Sequence, residues 1–471
     1  MRRFRRCLRA FARHRGELLA GAGCLVAASA LDVGIPLLVA RGLNRLEAAV
    51  RAAEPAAVSR DFLLFTVGAI VLGTALKGIF RYGQRYLLIG VSRKVEAELK
   101  RDLFAHLTSL SPRFFAASRT GDLLSRATGD LEAVRLFLGP GSMHAASTLL
   151  LVPAALIAMV HFHPLLTALV LLPLGALAFS MKAIMPTLNR RSESVQAALA
   201  EISERAQENF SGVRVVKGFA REAWEVERFA ATSDGYRRHQ LGLGRARALN
   251  HTLLYASKDL AFLLILLVGG LGLLRGSFPV GGIYLFLDYV NRLFWPLIAL
   301  GWMAGMYHRA AAGMDRIEEV FRTRPEIVDP PEPLPVGSIR GEIQFRDLTF
   351  AYDGEPVLRG IRLRVEPGEA IGIVGRIGSG KTTLVSLLGR LFPVPDATVF
   401  LDGVDLNRVP LLRLREAIGF VPQDSFLFSE TVRENLAFGF DDLPPPEAVA
   451  RAAEASALGP DLAALPEGLD T

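Results

Sequence analysis

Apolar positions gather into six stretches of spanning length, at 18–38, 62–80, 136–160, 164–185, 253–274 and 283–303. About 20 mostly apolar residues, wound as a helix, cross the hydrocarbon of a bilayer. The pattern therefore predicts an all-α transmembrane domain of six helices. The links between the stretches alternate in character. His161-Phe162-His163-Pro164 closes a short turn between the third and fourth, and residues 275–282 close another between the fifth and sixth. Residues 81–135 and 186–252 are instead long, charged and rich in helix formers. Past about Arg322 the pattern changes, and residues 324–335 hold five prolines, which reads as an extended linker. Beyond it the chain alternates as a partial α/β domain: strand at 343–345 and 348–352, a turn at Asp353-Gly354, a returning strand at 358–365, and a buried strand at 370–374 running into a helix from Thr383. The organisation expected is a transmembrane domain at 1–322, a linker at 323–340 and a nucleotide-binding domain from 341 to 471.

Composition agrees with the spans. The chain is 51% hydrophobic and 21% charged, with a mean hydropathy of +0.32, too apolar for an ordinary soluble enzyme. Its formal charge of +7 does not point to nucleic acid. Arg2, Arg3, Arg5, Arg6, Arg9, Arg13 and Arg15 directly precede the first apolar stretch, as in a cytoplasmic topology signal. That places the N-terminus, both long loops and the C-terminal domain in the cytoplasm, as expected of a multi-pass protein of the cell membrane. The stretch reaching Leu38 is too long for the apolar part of a cleavable signal, and no small-residue cleavage site closes it. Cys7 and Cys24 suggest neither a disulfide framework nor a metal site.

Five ionisable residues within or beside the spans matter. Lys77, Arg81 and Arg85 fall at four-residue spacing on one helical face. Snorkelling at the inner membrane surface is the simpler account of them, and a cationic strip facing acidic cargo or lipid headgroups the sharper one. Asp288 and Arg292, also four apart, can neutralise each other as a structural pair or face cargo.

The strongest chemical motif is Gly375-Arg376-Ile377-Gly378-Ser379-Gly380-Lys381-Thr382, which fits the phosphate-loop spacing and runs on through Thr383 into a helix. Glycines let successive backbone N–H groups converge on an anion, and a helix N-terminus adds its positive end. Lys381 can reach the β and γ phosphates of ATP, and the Thr382 hydroxyl can ligate Mg²⁺.

With this motif in place, residues 341–471 resemble the first part of an ATP-binding cassette, and residues 1–340 the membrane domain of its exporter branch, in the flavour of bacterial multidrug half-transporters. The resemblance implies an ATPase-coupled exporter that works as a dimer with a second, identical or different, half-transporter. It would move a small, amphipathic solute or a lipid or peptide. A membrane-anchored nucleotide-binding regulator that moves nothing is the alternative. Tyr352 sits where such cassettes place an adenine-stacking aromatic. Gln423, in Gly419-Phe420-Val421-Pro422-Gln423-Asp424, matches the glutamine that senses Mg²⁺ and the γ-phosphate. Phe428-Ser429-Glu430-Thr431-Val432-Arg433-Glu434-Asn435-Leu436 resembles the segment that receives the coupling helices, and Thr431 with Glu434 also forms a capping-box pair. Phe114-Phe115 with residues 120–126, and residues 212–219, resemble those coupling regions. The family's Leu-Ser-Gly-Gly-Gln signature, its apolar strand ending in Asp-Glu and its switch histidine are not found after Gln423. Val399-Phe400-Leu401-Asp402 imitates the last strand but continues as Gly403, an ordinary strand and turn. The resemblance thus implies a fragment without a complete catalytic set, to which Gln423 contributes one member.

Overall fold

A computed structural model describes residues 4–52, 59–330, 337–352, 354–440 and 442–471. The linker positions 331–336 and the turn residue Asp353 lie outside the described residues, as do Arg2 and Arg3. The chain divides into two compact units, Met1–Pro325 and Glu326–Thr471.

The first unit is helical throughout. A short amphipathic helix α1 (Arg5–Arg13) leads into α2 (Arg15–Arg51), then α3 (Arg60–Ser109), α4 (Pro112–Ala117), α5 (Thr120–Ser125), α6 (Leu131–Leu136) and α7 (Ser142–Phe162). The long α8 (Pro164–Ser211), the short α9 (Val213–Gly218), α10 (Glu222–Leu274) and α11 (Val280–Arg322) complete it. Five helical runs among the described residues are long and apolar enough to cross a membrane: Arg15–Arg51, Arg60–Ser109, Thr120–Phe162, Pro164–Ser211 and Glu222–Leu274. The sixth predicted stretch lies in α11, part of whose side chains fall outside the described set. Helices α3, α8 and α10 have 50, 48 and 53 residues, more than twice what a bilayer needs. The long charged loops read from the sequence are largely continuations of these helices.

Two π-helical turns, Arg126–Asp130 and Phe137–Gly141, break the run from α5 to α7. Inside the second, a Cβ on Gly139 would run into the Ser92 side chain, so glycine lets α3 pass close by.

Burial in this unit falls mainly into two large clusters toward opposite ends of α11, with a small third one of Leu254 and Phe294. One packs Phe4, Cys7 and Ala10 of α1 against Val91–Leu103 positions of α3, against Leu131 and Val134 of α6, and against Met314, Ile317 and Val320 of α11. The other joins Ala40, Met159, Leu166, Val170 and Ile265 to Leu285, Phe286, Tyr289 and Val290 of α11. The Tyr289 hydroxyl, inside that apolar cluster, is satisfied by donating to the Val33 carbonyl at 2.8 Å.

The second unit carries a four-stranded antiparallel sheet in the order β2-β1-β3-β4, formed by β1 (Ile343–Phe350), β2 (Leu358–Val365), β3 (Val399–Leu401) and β4 (Val404–Asp405). Ile343 stands opposite Val365 on one side of β1 and Leu401 on the other. The two strand pieces predicted at 343–352 are one strand, whose register shifts on either side of Leu348. Asp347, at φ +51, accommodates the irregularity. Helix α12 (Lys381–Leu388) lays Leu384 and Leu387 onto the core of Phe345, Leu348, Val399 and Leu401.

The buried strand predicted at 370–374 is not formed. Residues 371–376 are irregular, and Ile373 and Val374 are 42% and 93% exposed. The apolar run 417–421 is likewise irregular, with Val421 at 92% exposure. A strand requires a ladder partner for its N–H and C=O groups. Among the described residues no strand lies beside either segment.

Candidate functional site

The phosphate loop is built on the N-terminus of α12. Gly380, the N-cap, sits in the left-handed region at φ +87, and Gly378 at φ +81. A Cβ on Gly380 would meet Leu358 Cδ2 at 2.8 Å, so both the backbone conformation and the space demand glycine. No side chain caps the helix. Its first-turn N–H groups have no intrahelical acceptor and face outward with the positive end of the helix dipole. Lys381 folds back across the loop, its Nζ donating to the carbonyls of Gly375 at 2.8 Å and Arg376 at 2.9 Å. Ile377, at the loop's tip, is fully exposed.

The two threonines differ. The Thr383 hydroxyl is engaged with the Tyr352 hydroxyl at 2.8 Å, whereas Thr382 is exposed and its hydroxyl makes no hydrogen bond among the described residues. Thr382 is therefore the free oxygen at the helix start, as a cation ligand must be. The donor set suits a polyphosphate: unpaired amides, one ammonium group and one free hydroxyl.

Tyr352 packs its ring edge-on against Phe350 and Phe392, with centroids 5.1 and 5.0 Å away, and stays 37% exposed. The fold thus joins Tyr352 to the phosphate-loop helix. It does not join Gln423, which lies in the exposed stretch 419–430 and makes no hydrogen bond among the described residues. The capping box predicted in the next segment is present on α13 (Val432–Leu436), with Thr431 and Glu434 bonded reciprocally. These hydrogen bonds hold the Glu434 carboxyl below its usual range. Asn435 organises the loop ahead of the helix, donating to the carbonyls of Phe428 and Glu430, both at 3.1 Å.

Asp402 is settled by its surroundings. Although burial opposes its charge, N–H groups of Glu342, Arg340 and Gly341, at 2.9, 2.6 and 3.0 Å, hold its carboxyl below the ordinary value. It ties the β3–β4 turn to the start of β1, the structural role read from the sequence. Arg390, at the end of α12, was not singled out from the sequence. Its buried guanidinium donates to the carbonyls of Val409 and Val328, and burial lowers its pKa.

The helical unit holds a second site. A cavity of about 400 Å³ is lined by Asp32, Arg81, Gln84, Arg85, Arg292 and Trp295, with smaller neighbours. Its organiser is Asp32, a lone carboxylate within the first apolar stretch that sequence reasoning passed over. Asp32 receives Arg292 at 2.7 Å, Lys77 at 3.3 Å and Arg81 at 3.5 Å. Arg292 also pairs with Asp288, as the spacing predicted. Two of the three cations read as snorkelling are thus tethered across to α2. Only Arg85 keeps no ion-pair partner among the described residues.

The short helices α5 and α9 fall where the coupling regions were expected, and they expose Leu124, Val215 and Phe219.

Comparison with known proteins identifies the architecture. Residues 18–297, more than half the chain, match the ABC transporter transmembrane region, and residues 358–464 match the ABC transporter domain. The chain belongs to the ABC transporter family. It is 30% identical over 410 residues to the multidrug resistance-like ATP-binding protein MdlA of Escherichia coli, covering 87% of this chain and 69% of that protein. It is 31% identical over 451 residues to the probable multidrug resistance ABC transporter ATP-binding/permease protein YheI of Bacillus subtilis, covering 95% and 75%. Among solved structures, a bacterial Atm1-family ABC exporter with ATP bound superposes with a TM-score of 0.69 at 25% identity, over 97% of this chain and 79% of that one. This ABC protein is accordingly a multi-pass, ATP-binding half-transporter that couples ATP turnover to export and acts with a second half. The regulator that moves nothing finds no support among these relatives.

Proposed function

We propose that this ABC half-transporter binds MgATP on residues 375–383 and uses its turnover to export a small amphipathic solute from the cytoplasm. In this reading the amides of Gly375, Arg376, Ile377, Gly378, Ser379 and Gly380 surround the β-phosphate. Lys381 would exchange its two carbonyl partners for the terminal phosphates. Thr382 would hold Mg²⁺, which would supply charge neutralisation on the phosphate oxygens when bound, and Gln423 would join it only if the 417–430 stretch packs beside the loop. Tyr352 offers the adenine a ring held in place by Thr383. The N-terminus and the nucleotide-binding unit lie on the cytoplasmic side, and the solute occupies the cavity around Asp32.

The observation that carries the proposal is the uncapped, glycine-shaped N-terminus of α12, with Lys381 drawn over it and Thr382 left free. The test is titration of the purified chain with a fluorescent ATP analogue in Mg²⁺ buffer. Lys381→Ala should weaken binding at least tenfold, by removing the one charge-assisted donor on the terminal phosphates. Thr382→Ala should selectively abolish the part of affinity that depends on Mg²⁺. Parental affinity in Lys381→Ala would overturn the assignment.

A further inference from the structure

On α11 the cavity-lining residues fall toward the gap between the two large buried clusters, and on α3 and α7 they lie ahead of one cluster each. On α3 they are Arg81, Gln84 and Arg85, ahead of the cluster that starts at Val91. On α7 they are Met143 through Leu151, ahead of Ala155 and Met159. On α11 they run from Asn291 to Ala299, overlapping the end of one cluster at Leu293 and well short of the other at Ala310. Along α11 the two apolar cores thus bracket a polar chamber.

The charge inside the chamber is unbalanced. Among the described residues Lys77, Arg81 and Arg292 pair with Asp32 and Asp288 alone and Arg85 pairs with neither, while His144 and Gln84 also line the space. A surplus of cations at this depth is costly to maintain without an anion. Three of the four cations are occupied by the carboxylates, while Arg85 faces the cavity without an ion-pair partner. Arg81 is the most weakly held, 3.5 Å from Asp32 with its side chain 57% exposed. Beside them Trp295, Met143 and Leu151 supply an apolar and aromatic wall. Ser147, Thr148 and Asn291 add hydrogen-bonding groups.

We infer that this chamber selects an amphipathic anion: a phosphate, sulfonate or carboxylate seated on Arg85 and Arg81, with its apolar portion against Trp295 and Met143. The inference rests on the export reading above and assigns the cargo its chemical class. Arg85 provides the free charge, and Arg81 can leave Asp32 for the ligand because Arg292 and Lys77 keep that carboxylate neutralised. The oxyanion could be a lipid headgroup or a freely diffusing organic anion; both present the same chemistry to the arginines.

The test measures binding to the full chain, without nucleotide, in discs of phosphatidylcholine. The probes are dodecyl phosphate, dodecyltrimethylammonium and dodecyl maltoside, all below their micellar concentrations. Dodecyl phosphate should bind saturably, at least tenfold tighter than the other two, and quench Trp295 fluorescence. Arg85→Gln should weaken it fivefold or more, and Arg85→Lys should restore most of the loss. Since Arg85 holds no ion pair, Arg85→Gln should keep the parental melting temperature, so lost binding cannot be ascribed to misfolding. Replacing part of the phosphatidylcholine by phosphatidic acid distinguishes the sources. Competition by the lipid identifies a headgroup site, and undiminished dodecyl phosphate binding identifies a soluble anion. Equal or tighter binding of dodecyltrimethylammonium, or parental affinity in Arg85→Gln, would overturn the anionic assignment and leave the export reading standing. Loss of nucleotide binding would be required to remove the latter.

Discussion

Among the described glycines Gly281 leaves least room for a Cβ, and its replacement tests how α11 is anchored. The first turn of α11 is capped by side chains of α2 rather than by its own sequence. Gly281 N–H donates to Asn44 Oδ1, and Val280 N–H to Glu47 Oε2, each at 2.7 Å. These are two of the orphan donors that every helix start must satisfy, and the second ends on a charged acceptor at the positive end of the dipole. A Cβ at 281 would overlap the Ala40 carbonyl oxygen and the Asn44 amide oxygen. The Asn44 side chain could swing aside, but the Ala40 carbonyl is backbone and cannot, so α2 and α11 must separate. Overpacking of this kind costs about 1–3 kcal/mol. Separation also stretches one neutral and one charge-assisted hydrogen bond, worth roughly 1 and 2 kcal/mol. Gly281→Ala should therefore destabilise by up to about 4–6 kcal/mol if both bonds are lost. In a Cys24→Ala background a thiol-reactive dye gives the assay, because Cys7 is fully buried and reacts only on unfolding. Gly270→Ala is the control: a Cβ there meets nothing within 4 Å, and no loss is expected. A Gly281→Ala protein melting within a degree of the parent would refute the close approach and the capping together.

Three further outcomes are expected. Cysteines placed at Phe162 should label from outside intact cells, and those at Thr120 and Val215 only after permeabilisation; outside labelling of Thr120→Cys would invert the topology. Background from Cys7 should be low, since burial pushes its thiol up to about 11. Tyr352→Ala should weaken ATP and a bare triphosphate unequally, the base-containing ligand losing more; equal losses would deny the ring an adenine role. Asp402→Asn should cost roughly 1–2 kcal/mol near neutral pH, because it weakens three hydrogen bonds to the carboxylate. A depressed folded pKa means that this stability is present above the unfolded value of about 4 and is lost as pH falls through the folded one. The gap between parent and variant in chemical denaturation should thus close below about pH 4, and a gap constant down to pH 3 would contradict the assignment.

The spans and the phosphate loop were legible because each rests on a local rule. Apolar length predicts a membrane helix whatever its neighbours, and the loop's glycines and lysine occupy fixed offsets. The strand at 370–374 was misread for the converse reason. Its apolar run satisfies the local pattern, but a strand exists only through a partner, and here Val374 stands exposed. Gln423 fails similarly: its identity is readable, its placement against Thr382 depends on how 417–430 pairs. For Tyr352 the pattern gave a place at a strand end, and the fold alone supplied its neighbours Phe392 and Thr383.

Asp32 shows what a one-dimensional reading of charge leaves out. Lys77, Arg81 and Arg85 form a visible row at helical spacing, so the row invites an account in terms of its own helix and the membrane surface. A single Asp in another span offers no periodicity to notice. Yet at membrane depth an isolated carboxylate is costly unless cations meet it, and the same cost holds for the cations. The two oddities in α2 and α3, with the Asp288–Arg292 pair in α11, are therefore one network: Asp32 takes charge from both neighbouring helices at once. Within it, the pairing that the network leaves undone is as informative as the pairs it makes. Two carboxylates pair with three cations by sharing, which leaves a net positive charge, and the fourth cation, Arg85, lines a cavity of ligand size with no ion-pair partner among the described residues. A purely structural network gains nothing from that fourth cation, whereas a site for an anion requires it.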